Sequence, residues 1–487
     1  MFASKTRQYE REMRKAGSYA EWKEAATRYE SAQGLDRWKR IDTTRSYDYV
    51  AIRLRLDRLR SLRSRHDYPG LLFNLNEGIH GNLGGMGRPV LYQRAKFGTK
   101  QLIVDYVDEV VDALEVLADP KRDEISDEEK LDFFRRADHC FGHSALMMSG
   151  SGMLLYFHLG VVKALWQEGL LPDILSGASG GSFVGSLVAT HTDEELQRIF
   201  DPKYLAHELE VSARMVGRFE HLRPKILEVD EIRQFIEQYI PDLTFLESYE
   251  KTGRSMNISI APSETHQTSR LLNATTTPNV LIRESIMASC AVPGIYPPVI
   301  LAARNKWGEK QQYLPLRKWV DGSVSDDLPA KRLARLYGVN HYIVSQTNPH
   351  VIPFIRDTSR GNSPLSVIRY TSIRTAREWL NAGATIFHRP LSRQPRLHQV
   401  TTMVLSVLNQ DYVGDINILP PVRVFNPGRL LARLSQREIT RLIDMGERAT
   451  WPKIETIRIQ TKISRTLRRV RAQYELQPAP KIVVGKR

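Results

Sequence analysis

The segment Gly177-Ala178-Ser179-Gly180-Gly181 constrains this chain more than any other. A short apolar run, Ile174 and Leu175, precedes it, and Phe183, Val184, Leu187 and Val188 follow in a helix-like pattern. Strand, sharp turn and helix are predicted in that order, with a serine at the tip. The G-x-S-x-G spacing pushes the serine hydroxyl out of the turn at the top of a sheet. Glycines at 177, 180 and 181 let strand and helix backbones crowd together and permit positive φ angles. A hydroxyl held there is open to a substrate and to an activating base. Ser179 is therefore the candidate nucleophile, acting on an acyl group.

The surroundings of that turn read as alternating strands and helices. Apolar runs at residues 145–148, 159–166, 174–175 and 183–190 follow a β-α-β-α order, which implies a parallel sheet. Thr192-Asp193-Glu194-Glu195 has the form of a capping box opening a helix. Further strand candidates are 256–260, 318–320 and 341–344, so residues 145–350 form the expected α/β core.

Residues 1–135 have a different rhythm. Ile52, Leu56 and Leu59, then Ile103, Val107, Val110, Leu114 and Leu117, repeat at three and four residues, as amphipathic helices require. The glycine-rich stretch 81–89 lacks a following Gly-Lys-Ser/Thr and reads as a connecting loop, not a phosphate cradle. The charged stretch 119–129 reads as a surface linker. After Pro353 the chain turns helical again, with a break at Leu419-Pro420-Pro421. Its last helix carries Ile463, Leu467, Val470 and Tyr474 on one face and Arg465, Arg468, Arg469 and Arg471 on others. That helix either lies on a membrane, a partner or nucleic acid, or packs onto its own domain. The division expected is 1–138 helical, 139–350 α/β and 351–487 helical and basic.

Charge is uneven. The net charge is +15, but residues 1–65 hold +8, residues 451–487 another +8, and the middle is −1. Basic ends suit an anionic surface, or serve as solvated charge. No uncharged apolar run reaches roughly 18 residues, and Met1 to Lys15 has no apolar signal core. A cytoplasmic protein that touches membranes from outside is expected. Cys140 and Cys290 cannot build a disulfide framework.

A serine hydroxyl needs a base. His158, His341 and His350 fall in the core region, but none has a context that demands the role. Trp319-Val320-Asp321-Gly322-Ser323 is an apolar strand end followed by a glycine turn, so Asp321 emerges where open α/β sheets place their sites. It can orient or deprotonate Ser179 directly if the two strands are neighbours; otherwise Asp-Gly is a turn. Asp326 and Asp327 lie beyond that turn. Ser149-Gly150-Ser151-Gly152 stands between a strand and a helix, where N–H groups can face developing negative charge, and the N–H of Gly180 is a second donor. Leu155 at the sixth position breaks the dinucleotide fingerprint.

Glycine turn, G-x-S-x-G and Asp-Gly in this order resemble the patatin-like phospholipases. Phe157-His158-Leu159-Gly160-Val161-Val162-Lys163 is similar to the helix after that family's glycine turn. Ala288-Ser289-Cys290-Ala291-Val292-Pro293-Gly294 and Ile343-Val344-Ser345-Gln346-Thr347-Asn348-Pro349-His350 resemble its triacylglycerol lipase branch. Tyr19-Ala20-Glu21-Trp22 and Leu83-Gly84-Gly85 resemble the helical extension before the core in that branch. The resemblance spans about residues 15–350. It implies a patatin-like α/β fold with a mainly parallel sheet flanked by helices, plus helical N- and C-terminal regions. It implies Ser179 as nucleophile, Asp321 as its base in a dyad without histidine, and Gly150, Ser151 and Gly152 as an oxyanion hole. Gly177 and Gly181 are then the glycines of the nucleophile turn.

The substrates implied are triacylglycerols or phospholipids, with no metal or other cofactor. The partner expected is an anionic membrane or lipid-droplet surface, touched peripherally, and not nucleic acid. A lipid acyl hydrolase is the leading reading. A non-catalytic lipid-surface protein and an acyltransferase serving a lysolipid are the alternatives. Ser151 and Leu155 stand where the family has glycine; if the turn needs positive φ at Ser151, the cost is on the order of 1 kcal/mol.

Overall fold

The computed structural model describes residues 2–79, 81–201, 228–264, 268–323, 327–348, 414–421 and 434–476. The chain divides into two compact units. The first comprises Met1–Ser144, Tyr337–His341 and Trp451–Arg487, and the second Ala145–Leu336 and Tyr342–Thr450.

The first unit is helical: α1 (Phe2–Lys15), α2 (Tyr19–Ala32), α3 (Leu35–Arg40), α4 (Tyr49–Ser64), α5 (Tyr68–Asn76), α6 (Pro89–Gln93), α7 (Gln101–Ala118) and α8 (Asp127–Phe141). Ser18, Asp48, Asp67 and Ser126 cap α2, α4, α5 and α8 by accepting from an N–H three residues on. The apolar stripes expected on α4 and α7 meet in one core. Glu109 of α7 is buried there and held by Arg63 at 2.7 and 3.0 Å. A buried carboxylate needs such a partner. Residues 81–89 connect helices through a single turn at Leu83–Gly85. The linker after α7 ends sooner than expected, because Ser126 starts α8.

The second unit follows the alternation read from sequence: β1 (His143–Met148), α9 (Leu155–Gln167), β2 (Ile174–Gly177), α10 (Gly180–Thr190) and α11 (Asp193–Ile199). Thr192 and Glu195 form the expected capping box of α11. Next come α12 (Val229–Tyr239), α13 (Phe245–Thr252), β3 (Ser255–Pro262), β4 (Arg270–Leu272) and α14 (Ile282–Ser289). They are followed by β5 (Ala302–Arg304), β6 (Lys310–Gln312), β7 (Trp319–Asp321), α15 (Ala330–Tyr337), β8 (Val339–Ser345), β9 (Ile416–Ile418) and α16 (Gln436–Leu476). The sheet has the order β4-β3-β2-β1-β8-β9, with β7 also on β3. β2 runs parallel to β1 and β3, and β8 to β9, while β4 and β7 are antiparallel to β3. The mainly parallel sheet flanked by helices is thus present. β5 and β6 form a separate two-stranded ribbon.

Of the expected third region, residues 351–413, 422–433 and 477–487 lie outside the described ones, and His350 and Asp326 with them. Residues 451–476 of α16 group with the first unit. Ile463, Leu467, Val470 and Tyr474, the stripe singled out in sequence, are buried in the same core as α4 and α7. Between the two readings of this helix, packing onto its own unit holds. Lys462 pairs with Asp108 at 2.6 Å, Arg469 with Glu115 and Arg471 with Asp138. Among the described residues no helix is long and apolar enough to cross a membrane.

Candidate active site

β2 is buried along its length and ends at Gly177; Ala178 and Ser179 turn the chain, and α10 starts at Gly180. Space decides the glycines. A Cβ on Gly181 would stand 2.5 Å from the Met148 carbonyl oxygen, and one on Gly180 would stand 2.7 Å from that of Gly152. One on Gly177 would overlap the Gly181 carbonyl. Crowding was expected, but the positive φ falls elsewhere: Ser179 itself has φ 50° and ψ −124°, and none of its flanking glycines has positive φ. A non-glycine residue there costs on the order of 1–3 kcal/mol and persists only where its surroundings over-determine it. They do so through hydrogen bonds. The Ser179 N–H donates to Ser289 Oγ at 2.9 Å, and Ser289 Oγ donates to the Ser259 carbonyl at 2.8 Å. The Ser179 carbonyl accepts from Ser182 Oγ at 2.6 Å.

β3 links Ser179 to Asp321. Gly177 of β2 pairs with Ile258, and Ile260 pairs with Asp321 of β7. Asp321 is buried, and the Ser179 side chain lies close enough to its carboxyl to favour the ionised form. Ser323 N–H donates to Asp321 Oδ1 at 2.8 Å. Burial pushes the Asp321 carboxyl up from its ordinary 3.8 to about 6, against the opposing pull of the Ser323 hydrogen bond and the nearby Ser179 hydroxyl. Cys290, just after α14, also touches the Ser179 side chain; burial and the nearby Asp321 push its thiol up to about 12. It is a neutral wall of the site. Its sequence context carried a family likeness but no sign of this position.

The glycine turn after β1 lies against Gly180. Ser151 has φ −140°, so its side chain costs no strain, and the positive φ of 49° sits on Gly152. Leu155 begins α9 and packs beside Gly180. Among the described residues the N–H groups of Ser151, Gly152 and Gly180 have no hydrogen-bond partner. The Gly150 N–H differs from the expectation: it donates to Asp327 Oδ1 at 2.7 Å and is not free to receive an oxyanion. Asp327 is fully buried and needs such donors; Asn348 Nδ2 supplies another at 2.5 Å. An aspartate set aside as lying beyond the turn thus anchors the turn itself. No local spacing could have shown it, because 177 residues separate the partners.

His158 is buried beneath the same turn, with Nε2 3.0 Å from the Ser149 carbonyl and Nδ1 2.6 Å from Ser345 Oγ. The carbonyl needs a donor, so Nε2 carries the proton and Nδ1 accepts. Burial lowers its pKa to about 4, which keeps it neutral. His158 is structural. Among the described residues no group of three or more His, Cys, Asp or Glu side chains is placed to hold a metal ion.

Comparison with known proteins places this architecture. Residues 146–334 match the patatin-like phospholipase family, and residues 1–139 match a domain of unknown function, DUF3336. A patatin-like phospholipase domain-containing protein of Aspergillus fumigatus is 32% identical over 95% of this chain and 68% of its own length. One from Aspergillus oryzae is 32% identical over 96% and 69%. Triacylglycerol lipase 5 of Saccharomyces cerevisiae is 30% identical over 90% of this chain and 62% of its own length. The chain spans about two thirds of the length of these relatives. With its helical extension and its mainly parallel sheet, the chain belongs to the patatin-like phospholipase family.

Proposed function

We propose that the chain is a serine lipid acyl hydrolase, of triacylglycerol lipase or phospholipase A type, working through a Ser179–Asp321 dyad. The observation that carries this is the strained Ser179 at a strand-to-helix turn, beside a buried carboxyl whose pKa lies near 6. A base in that range is ionised at neutral pH yet still able to take a proton. Ser179 Oγ attacks the ester carbonyl carbon while its proton passes to the Asp321 carboxylate. The carbonyl oxygen becomes an oxyanion facing the N–H groups of Ser151, Gly152 and Gly180, at the start of α10 where the helix dipole also favours it. The tetrahedral intermediate expels the alcohol oxygen, which takes the proton from Asp321 and leaves an acyl group on Ser179. Water then attacks this ester, gives its proton to Asp321, and the fatty acid departs as Ser179 regains the proton.

The name of the yeast relative and the family description favour acylglycerols or phospholipids as substrates. Such substrates are met at a membrane or lipid-droplet surface, here from the cytoplasmic side. Ser179→Ala and Asp321→Asn should each lower hydrolysis of a short-chain ester by about a thousandfold or more. Both should melt as cooperatively as the parent. A fluorophosphonate probe should label Ser179 in the parent. Fatty-acid release by Ser179→Ala at the parental rate would remove the nucleophile from this scheme.

A further inference from the structure

The end of the sheet that holds Ser179 also carries exposed apolar side chains that the chemistry does not use. β7 is antiparallel to β3, and Trp319 pairs with Pro262, beyond the Ile260–Asp321 pair. The chain entering β7 therefore arrives from past the C-terminal end of β3, the end at which β2 delivers Ser179. Leu316, in that entering segment, is 96% exposed. The antiparallel run continues outward: Val299 exchanges hydrogen bonds with Trp319, Tyr313 N–H donates to the Leu301 carbonyl, and β5 pairs with β6. At the tip of that ribbon Trp307 is 72% exposed. The strand side of the ribbon begins at the uncharged segment 292–298, which follows Cys290 and holds Ile295, 49% exposed. This segment is tied to the site: the Ala291 carbonyl accepts from the Asp321 N–H at 3.0 Å.

Around these tips cations outnumber acids: Arg304, Lys306, Lys310, Arg317 and Lys318 stand against Glu309 in residues 304–318. Lys306 lies over the Trp307 ring at 4.4 Å, and Arg317 and Lys318 follow Leu316 directly. Arg304 and Lys310 are held by Asp242 and Glu284. Separate apolar tips, one of them tryptophan, among lysines match a lipid interface, where rings sit at headgroup depth and cations meet phosphate. The apolar stripe of α16 does not compete for that role, since it is buried in the core it shares with α4 and α7.

We propose that the 305–309 tip, Leu316 and the 292–298 segment form a lipid-docking surface at the mouth of the Ser179 site. Trp307, Leu316 and Ile295 enter the acyl layer of a bilayer bearing anionic headgroups, and Lys306 and Lys318 face its phosphates. This rests on reading the site as a lipid hydrolase, and gives the site an orientation toward the surface that supplies its substrate.

The full chain tests it by flotation with vesicles of phosphatidylcholine mixed with phosphatidylserine. Each of Ile295→Ser, Trp307→Ser and Leu316→Ser should lower partitioning several-fold, and the three together about a hundredfold. Lys306→Glu with Lys318→Glu should flatten its salt dependence. Tryptophan emission of the parent should shift to the blue on vesicle addition, and Trp307→Phe should abolish that shift. Parental partitioning by the triple variant overturns the proposal, as does a blue shift that survives Trp307→Phe. A change in sedimentation coefficient without a change in partitioning also overturns it, by making the surface an interface between copies. The hydrolase reading is judged separately, on the parent's cleavage of a soluble ester. Vesicle binding lost in the triple variant of a chain that cleaves no ester would sustain the docking surface and end the hydrolase.

Discussion

Asp321 is a carboxylate whose charged form the fold disfavours, and both activity and stability should record it. The proposed dyad needs the ionised form, so hydrolysis of a soluble ester should rise with pH through about 6 and then level. Stability runs the other way. The folded value of about 6 lies above the ordinary 3.8, so between those values the native chain keeps a proton that the unfolded chain has released. Stability therefore falls as pH rises across that window, and the full cost, on the order of 3 kcal/mol, is present above it. Asp321→Asn should raise the urea midpoint at neutral pH, and the gain should vanish near pH 4. An unchanged midpoint at neutral pH would mean that the carboxyl is not held in a costly charged state. Residues of this kind were partly legible. Ser179 and Asp321 announced themselves because turn chemistry is local, whereas Asp327 and Cys290 did not, because what they touch lies far away along the chain.

At the scale of elements, the path from β1 to the glycine turn depends on how α9 is seated. Gly160 of α9 and Gly446 of α16 face each other's backbones: a Cβ on Gly160 would overlap the Ile443 carbonyl oxygen, and one on Gly446 that of Phe157. Lys163 and Glu447 close the same crossing at 2.6 Å. Backbone can yield little here, so Gly160→Ala should lower stability by about 1–3 kcal/mol, read as a drop in melting temperature. A melting temperature equal to the parent's would place the two helices further apart than this crossing. The strands β1, β2, β3, β7 and β8 were foreseeable as apolar runs, and α11 from its capping box, because each is written in consecutive residues. β4, β5 and β6 are as short as β7 but carry a charged residue each and no aromatic or β-branched one, so they leave no pattern to read. The α9–α16 crossing was equally hidden, since a lone glycine in a helix does not name its partner.

Over the whole molecule, residues 1–144 and 451–487, with the internal segment Tyr337–His341, build one unit, and the other residues build the second. Basic charge at both ends suits an anionic surface or serves as solvated charge. Within the first unit much of that charge instead answers acidic residues, as Arg469 does Glu115 and Arg471 does Asp138. The apolar stripe of α16 completes a core begun by α4 and α7, so that core cannot close until nearly the whole chain is present. Leu467, with no exposure, tests this. Leu467→Ala removes buried methyl groups from the shared core and should cost about 2–5 kcal/mol. Hydrogen exchange should then accelerate together in the amides of Gln101–Ala118 and in those of α16 beyond Trp451, because both lean on the same side chains. Faster exchange confined to α16, with α7 as protected as before, would mean that the terminal helix is an appendage, and its arginines would return as candidates for binding an anionic surface.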